Sequence, residues 1–593
     1  MKNKIICLLL AVVMLFGVFA LTACDNGKDP EPCPEGTCVD EDGNKKCDVC
    51  GQKVKTKKPN TNEDCEHVDD DGDFKCDLCD EDYEDAWWEE ITYDKTNLIF
   101  QMTHCSNNQE LSSECDRFLA GEGDGVLGED IDDYVAERND NAYEFTNVTI
   151  TYTYLEDIAD DYGWSRNYDR IYQEVNTDSN NKPDMYCNFM ADLLMASLKG
   201  AFANLQSTLR GQGDLAGANY FDAEKAGYMD DLMTSLTLSM DKTYIVASDY
   251  FLDIIRAFFI VPVNRALFDG IASSTVEDYN GDTKKDINDF FYEIEEGEWT
   301  FERMAEYAAA VYDNVGTASG QDIGDVLGFM LGENTMWGAG MLYTQSSVTI
   351  ISKTWNKDDN KYDYAYAPTN ENFYAFAEAL DDLFNAKGVY YFTNAENTDM
   401  TAALTVRKQF VSNKVLFGGV IMIGSLEYTT YQDMKQGANG GFGIAPVPVY
   451  KEGDKYSTQI HTVGRAGAIS DASTKFAQCT AFLQYQSTHS TDILNEYYTY
   501  NLADAVDGVD GNVQILKLIR NNVRTSFDKL YEDAIGFFYQ SKNDNSVRER
   551  WNDLITRNKY QLKSIVRTQY DELYKSKVAG LEGLIAEYDI LPD

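Results

Sequence analysis

Beyond about residue 95 the chain alternates strand-like and helix-like stretches. NLIFQMTHC, from Asn97, is an apolar strand run that ends in polar residues. FTNVTITYTYL, from Phe145, alternates β-branched and aromatic residues with polar ones, the two-residue period of a half-buried strand. YDRIYQEV, from Tyr168, predicts a helix. In KPDMYCNFMADLLMASLKG, Met185 to Cys187 extend and Asn188 marks a turn; Met190 to Lys199 then carry helical spacing, and Gly200 ends the helix. Strand, helix, strand, turn, helix is α/β organisation, with the ligand edge expected at the carboxyl ends of the strands.

Further along, EEGEWTFERMAEYAAAVYD is a marked helix start. Thr300 can cap it, and Phe301, Met304, Ala308 and Val311 share one face. Trp299, just before the cap, reads as a packing anchor. IIRAFFIVPV, from Ile254, is apolar but short and carries Arg256, so it reads as a buried strand or helix. A nonpolar strand is expected from Val415 to Gly424, then a short helix, then GFGIAPVPVY and a further strand near Ala466.

The first residues follow a different pattern. Lys2 and Lys4 precede an apolar run from Ile5, which ends in Leu-Thr-Ala-Cys at Cys24. This is the charged start, apolar middle and small-residue exit of a secretory signal over 1–23. A permanent transmembrane helix is the alternative, since the run is long enough. The small residues ending on cysteine favour the signal, and they resemble the lipobox of bacterial lipoproteins. That resemblance implies cleavage before Cys24 and a diacylglycerol on its thiol. The mature chain would then sit on the extracytoplasmic face of the bacterial cell membrane, touching it through the lipid anchor only.

Residues 24–90 form a cysteine-rich segment. Seven of the 13 cysteines fall between Cys33 and Cys79, in two copies of one pattern. Cys33, Cys38, Cys47 and Cys50 make the first set; Cys65, His67, Cys76 and Cys79 make the second. Each Cys-x-x-Cys lets two sulfurs from one turn bind one ion, and a second pair completes a tetrahedron, which suits structural zinc. Disulfide pairing is the alternative in an exported chain. Zinc is favoured because His67 replaces a cysteine at the aligned position of Cys38. A calcium loop fits less well: Cys38 and His67 would take its first position, and Val49 and Leu78 its twelfth. Units this short bury little apolar surface, so a metal or a disulfide must hold them. GQKVKTKKPNTNED, from Gly51, reads as a flexible joint.

Composition narrows the function. A chain of 593 residues is too long for one core, so two or more domains are expected. A formal charge of −50 repels phosphate backbones and excludes nucleic acid as a natural partner. Four histidines leave little room for histidine-based catalysis, and no nucleophile elbow, zinc-protease helix or phosphate loop is present.

The pieces PDMYCNFMADL, VPVNRALFDG, EGEWTFERMAEYA, VLFGGVIMIGS and GFGIAPVPVY, with the lipobox, follow one another in a familiar order. In this the chain resembles the family 1, sugar-type extracellular solute-binding proteins of bacterial ABC importers. The likeness runs from about Thr96 to at least Leu483, and the cysteine repeats lie outside it. It implies an α/β, two-lobe periplasmic-binding-protein-like fold over 91–593, with three interlobe crossings. The crossings would be Phe258 to Asn264, Gly418 to Gly424 and Arg465 to Ser470. Lobe one would hold about 95–262 and 425–465, and lobe two about 265–417 and 470–593. It further implies a monomer that is not an enzyme, needs no cofactor in its binding domain, captures a carbohydrate and delivers it to ABC permease subunits. The aromatic content (39 Tyr, 29 Phe) admits an oligosaccharide and equally a peptide.

Sugar capture needs aromatic faces and planar polar groups at the strand ends. The candidates are Asn107, Asn188, Asp249, Tyr250, Trp337, Glu427, Tyr428 and Arg465. Trp337 is the stacking candidate of lobe two. The family often has tryptophan shortly after the glycine of the second crossing; Leu426 stands there, with Tyr428 nearby. Two other classes compete: a secreted glycan-active hydrolase, which needs a pair of carboxylates across a sugar, and a surface adhesion or peptide-binding lipoprotein working through its cysteine repeats.

Overall fold

The computed structural model describes residues 94–104, 119, 129–156, 167–177, 181–206, 219–223, 225, 227–237, 242–279, 283–315, 321–332, 345–348, 351–359, 361–366, 371–392, 399–427, 441–461, 464–498 and 510–523. Residues 1–23, read as a signal, together with Cys24 and both cysteine repeats, lie outside them.

In chain order the elements are β1 (Thr96–His104), α1 (Glu129–Thr146), β2 (Val148–Glu156), α2 (Tyr168–Asn176), β3 (Met185–Phe189), α3 (Met190–Leu198), α4 (Asp230–Leu236) and α5 (Leu252–Arg256). There follow β4 (Phe259–Asn264), α6 (Arg265–Thr275), α7 (Ile287–Glu295), α8 (Phe301–Val311), β5 (Leu327–Gly332), β6 (Ile351–Asn356), β7 (Lys361–Tyr366), α9 (Glu371–Asn385), β8 (Val389–Phe392) and α10 (Asp399–Val411). The last are β9 (Val415–Phe417), β10 (Ile421–Met422), β11 (Phe442–Ala445), β12 (Arg465–Ile469), α11 (Phe476–Thr488), α12 (Thr491–Glu496) and α13 (Asp510–Asn521). A 3-10 turn covers Ile423–Glu427.

Two sheets organise these elements. The first has the order β12-β3-β1-β2. Its β1, β2 and β3 are parallel, and β12 returns antiparallel beside β3. The second has the order β10-β4-β9-β5-β8, with β11 also on β4. There β5 is parallel to β8 and β9, while β4 runs against β9, β10 and β11. The fold is thus α/β with one main sheet in each of two halves, in keeping with the expected two-lobe fold. A buried apolar cluster runs through both halves, from Phe100 and Val246 to Trp299 and Phe417.

Local chemistry explains the elements. Leu98, Phe100 and Met102 bury one face of β1, as a period of two requires. Gly200 adopts φ 76°, the left-handed conformation that ends α3. Thr300 accepts from the Arg303 backbone N–H at 3.2 Å and caps α8. Trp299 is fully buried and donates Nε1–H to the Pro446 carbonyl at 2.9 Å, the packing anchor its position predicts. α8 lies so close to β5 that a Cβ on Gly328 would stand 2.0 Å from Ala308 Cα.

Three expectations change. The run Val415–Gly424 is not one strand. Between the pairs Val263↔Phe417 and Ile260↔Ile421 it spends one residue more than β4, which is a bulge. Gly419, at φ 80°, supplies the backbone that the bulge needs.

Of the segment 425–465, implied for lobe one, the described stretch 441–456 joins the second sheet. β11 pairs with β4, Val449 bridges Thr300, and the Trp299 backbone N–H donates to Tyr456 Oη at 3.1 Å. The stretch 470–593, implied for lobe two, begins on the first sheet. Lys475 Nζ meets Asp184 Oδ2 at 2.9 Å, and the Phe145 and Tyr485 rings lie 5.5 Å apart. The physical reason is shared: side chains on these returning segments find their partners across the expected boundary.

Candidate functional site

Strand direction locates the site. β1, β2 and β3 run the same way, and the carboxyl end of β3 lies opposite the start of β12, where Phe189 faces Arg465. Just before β12, Ile460 bridges Phe258, the first residue of the first crossing. The carboxyl edge of the first sheet therefore adjoins the crossings. In the second sheet β4, which is the first crossing itself, runs away from the first sheet, from Phe259 to Asn264. β9 and β10 run back along it, and β5 and β8 run parallel to β9. The parallel strands β1, β2 and β3 of the first sheet and β5, β8 and β9 of the second thus point their carboxyl ends at the same junction, the place where α/β sheets hold ligands.

The candidate residues distribute unevenly over this frame. Asn107, Trp337 and Tyr428 lie outside the described residues. Glu427 closes the 3-10 turn that follows the second crossing. Asn188 is on β3 and buried, and its Oδ1 accepts from the Phe189 backbone N–H at 2.7 Å.

Asp249 is buried in a two-pronged pair with Arg520, at 3.1 Å to Nε and 2.8 Å to Nη2. Burial pushes its carboxyl above the usual range, with Arg520 pulling it back. Tyr250 is fully buried against Phe251, Phe482 and Phe100, with the Arg138 guanidinium 4.8 Å from its ring centre. Arg465 is 2% exposed and stacks over Phe189 at 4.8 Å. These three correct the reading of them as exposed strand-end contacts. Arg465 opens β12, while Asp249 and Tyr250 follow an irregular stretch bridged to β12 at Val246, and the chain itself encloses all three.

Arg465 belongs to a charged knot at the junction. Its Nη1 lies 2.5 Å from Asp253 Oδ2, and Arg256 Nη1 lies 2.9 Å from Asp253 Oδ1. Asp253 and Arg256 sit on α5, just before the first crossing, and Arg465 opens the third. The second crossing touches the same knot: a Cβ on Gly424 would stand 3.3 Å from Arg256 O and 3.4 Å from its Cβ. All three crossings therefore converge on α5, the first directly after it, the third through Asp253 and the second against Arg256. A buried group of this kind is held by its mutual geometry, and losing one member is costly. Sequence reading missed Asp253. Its signal was a charged pair at i, i+3 inside the apolar run LDIIRAFF.

The hairpin β6–β7 was also missed. Trp355 and Tyr362 pair across it, with ring centres 5.0 Å apart. The signal was KTWN and KYDY on either side of a polar KDDN turn. Among the described residues no group of three or more His, Cys, Asp or Glu is placed to hold a metal ion, and no helix is long and apolar enough to cross a membrane.

No family model matches the chain, and no curated protein matches it. Among solved structures it is similar to the GacH receptor of Streptomyces glaucescens GLA.O, at 14% identity and TM-score 0.38, over 84% of this chain and 100% of that one. It is similar to the maltose-binding periplasmic protein MalE of Listeria monocytogenes, at 13% and 0.42, over 84% and 99%. It is also similar to the galacto-N-biose-/lacto-N-biose I-binding protein of the ABC transporter of Bifidobacterium longum, at 12% and 0.42, over 82% and 99%. TM-scores this low carry no structural weight. The strand order and register above rest on this chain's own pairing.

Proposed function

We propose that the chain is an extracytoplasmic solute-binding protein, lipid-anchored at Cys24. It captures a carbohydrate between its two halves and delivers it to an ABC permease. One observation carries the reading: the parallel strands of both sheets direct their carboxyl ends to one junction crossed three times by the chain. Two half-sites joined by narrow crossings suit capture, because a ligand touching both halves stabilises the closed arrangement. The ordered sequence pieces and the Leu-Thr-Ala-Cys exit support the class and the location. The ligand contacts are assigned to the loops leaving β1, β5 and β8, where Asn107 and Trp337 fall, with Glu427 and Tyr428 beside the second crossing. Structural zinc is assigned to the two N-terminal repeats.

Thermal unfolding of the chain without its signal segment tests this, against mono- and oligosaccharides, peptides and polyamines. A ligand at about a hundred times its Kd adds about 2.7 kcal/mol and raises the midpoint by several degrees. A rise with sugars and no product formed supports capture. A rise with peptides alone moves the substrate class, and turnover of a glycan replaces capture with hydrolysis. Metal analysis of the same preparation should find zinc that leaves when Cys47 and Cys76 are replaced.

A further inference from the structure

The hairpin β6–β7 is rooted in the second half. It lies in the chain between β5 and α9, and Val348, just before it, is buried in the shared core. Ser347 Oγ donates to Asp454, on the segment whose Tyr450 ring meets Phe376 of α9 at 5.8 Å. From this root β6 reaches the other half. Lys353 Nζ donates to the Thr234 carbonyl at 2.8 Å and also to the Thr237 carbonyl. These belong to the last turn and the cap of α4.

α4 is part of the first half. The Met229 backbone N–H, just before it, donates to the Ala247 carbonyl at 3.2 Å, and neighbouring Val246 bridges Gly467 of β12. The contact suits its chemistry. The last carbonyls of a helix carry partial negative charge and can accept from outside it; Thr234 O already takes the Thr237 backbone N–H at 3.3 Å, and the Lys353 amine, which burial pulls down to about 7, donates to it as well. Tyr362, across the hairpin on β7, holds the lysine in place with its ring centre 4.2 Å from Nζ.

We propose that β6–β7 is a clasp: an arm of the second half whose Lys353 hooks the end of α4 and restrains the two halves from parting. Lys353 is then a positioning residue, which sets how far the halves open and touches no ligand. The proposal rests on the reading that the halves move about the three crossings.

The test uses the whole chain without ligand. Ketone-bearing residues at the exposed positions Thr177 and Glu302 carry a fluorescent pair, so the native cysteines stay untouched. Lys353→Met keeps the apolar stem against Tyr362 but removes the donors. It should lengthen and broaden the distance between the halves. Amides of 230–237 should also exchange about tenfold faster, as the loss of the lysine's hydrogen bonds implies. Lys357→Met, on the exposed hairpin turn, should do neither.

Faster exchange at α4 with an unchanged distance overturns the clasp and leaves Lys353 a local cap. No change in either also overturns it. The unaltered chain offers a second reading should the variant fail to fold. In it α4 and the hairpin should exchange as one unit, ahead of β1 and β5, and separate exchange overturns the proposal. Adding sugar afterwards tests capture on its own: a clasp that responds to Lys353→Met while no ligand shortens the distance survives, and the capture reading falls.

Discussion

The two halves are stabilised by different means. The second half is built around packed aromatic rings. Trp299 meets Phe290 edge-on at 4.9 Å and Phe417 at 5.1 Å, and Phe268 lies 5.0 Å from Phe290. The first half also has a buried ring, Tyr250, but polar ties from distant residues complete it. Arg138 donates to Ser490 at 2.9 Å, Lys475 pairs with Asp184, and Arg520 pairs with Asp249. Packing of the first kind depends on volume and is nearly blind to pH and salt. Buried polar ties depend on charge state. One chain therefore carries a half sensitive to cavities and a half sensitive to protons.

The harshest way to break this contrast is to empty the aromatic cluster. Trp299→Ala should cost about 4 kcal/mol in urea unfolding, at any pH between 6 and 8. A loss near 1 kcal/mol would mean that the rings are not the second half's main support.

Acid sharpens the other side. His489 lies flat on Tyr485, ring centres 3.9 Å apart, and burial pulls its imidazole down to about 4. Between about pH 6.5 and 4 the unfolded chain takes up a proton that the folded chain refuses, so stability falls as the pH drops through this window. This histidine alone should remove about 3 kcal/mol across it. His489→Gln should flatten the pH profile of the midpoint; an unchanged slope would shift the acid sensitivity elsewhere.

The smallest effect is local. Thr300→Ala removes the cap of α8 and should cost about 1 kcal/mol, independent of pH, in the same urea measurement. Recovery by Thr300→Ser and not by Thr300→Val would confirm that the oxygen is responsible.

What was legible in the sequence was what neighbouring residues decide. β1, β2 and the β3–α3 turn follow from periodicity over a few positions, and the Thr300 cap and Trp299 anchor from adjacent residue types. The break at Gly418 and Gly419 was written in the run, but an apolar stretch reads as continuous until its partner strand shows the slipped register. The fates of Asp249 and Tyr250 were not legible. Asp249 is decided by Arg520, 271 positions away, and Tyr250 by Arg138, Phe100 and Phe482. A polar residue at the end of an apolar run looks the same whether solvent or a distant arginine awaits it.

The return of β12 to the first sheet bears on how the chain matures. The second sheet has all its strands once residue 445 has emerged, whereas the first sheet waits for Ile469, and its covering helix for Thr488. A chain released from its amino end onward therefore completes the later-encoded sheet before the earlier one. Until β12 docks, β3 keeps an open hydrogen-bonding edge, the hazard that unfinished sheets present to aggregation. Truncation between residues 445 and 465 should leave a product with an ordered second sheet and a first sheet prone to self-association.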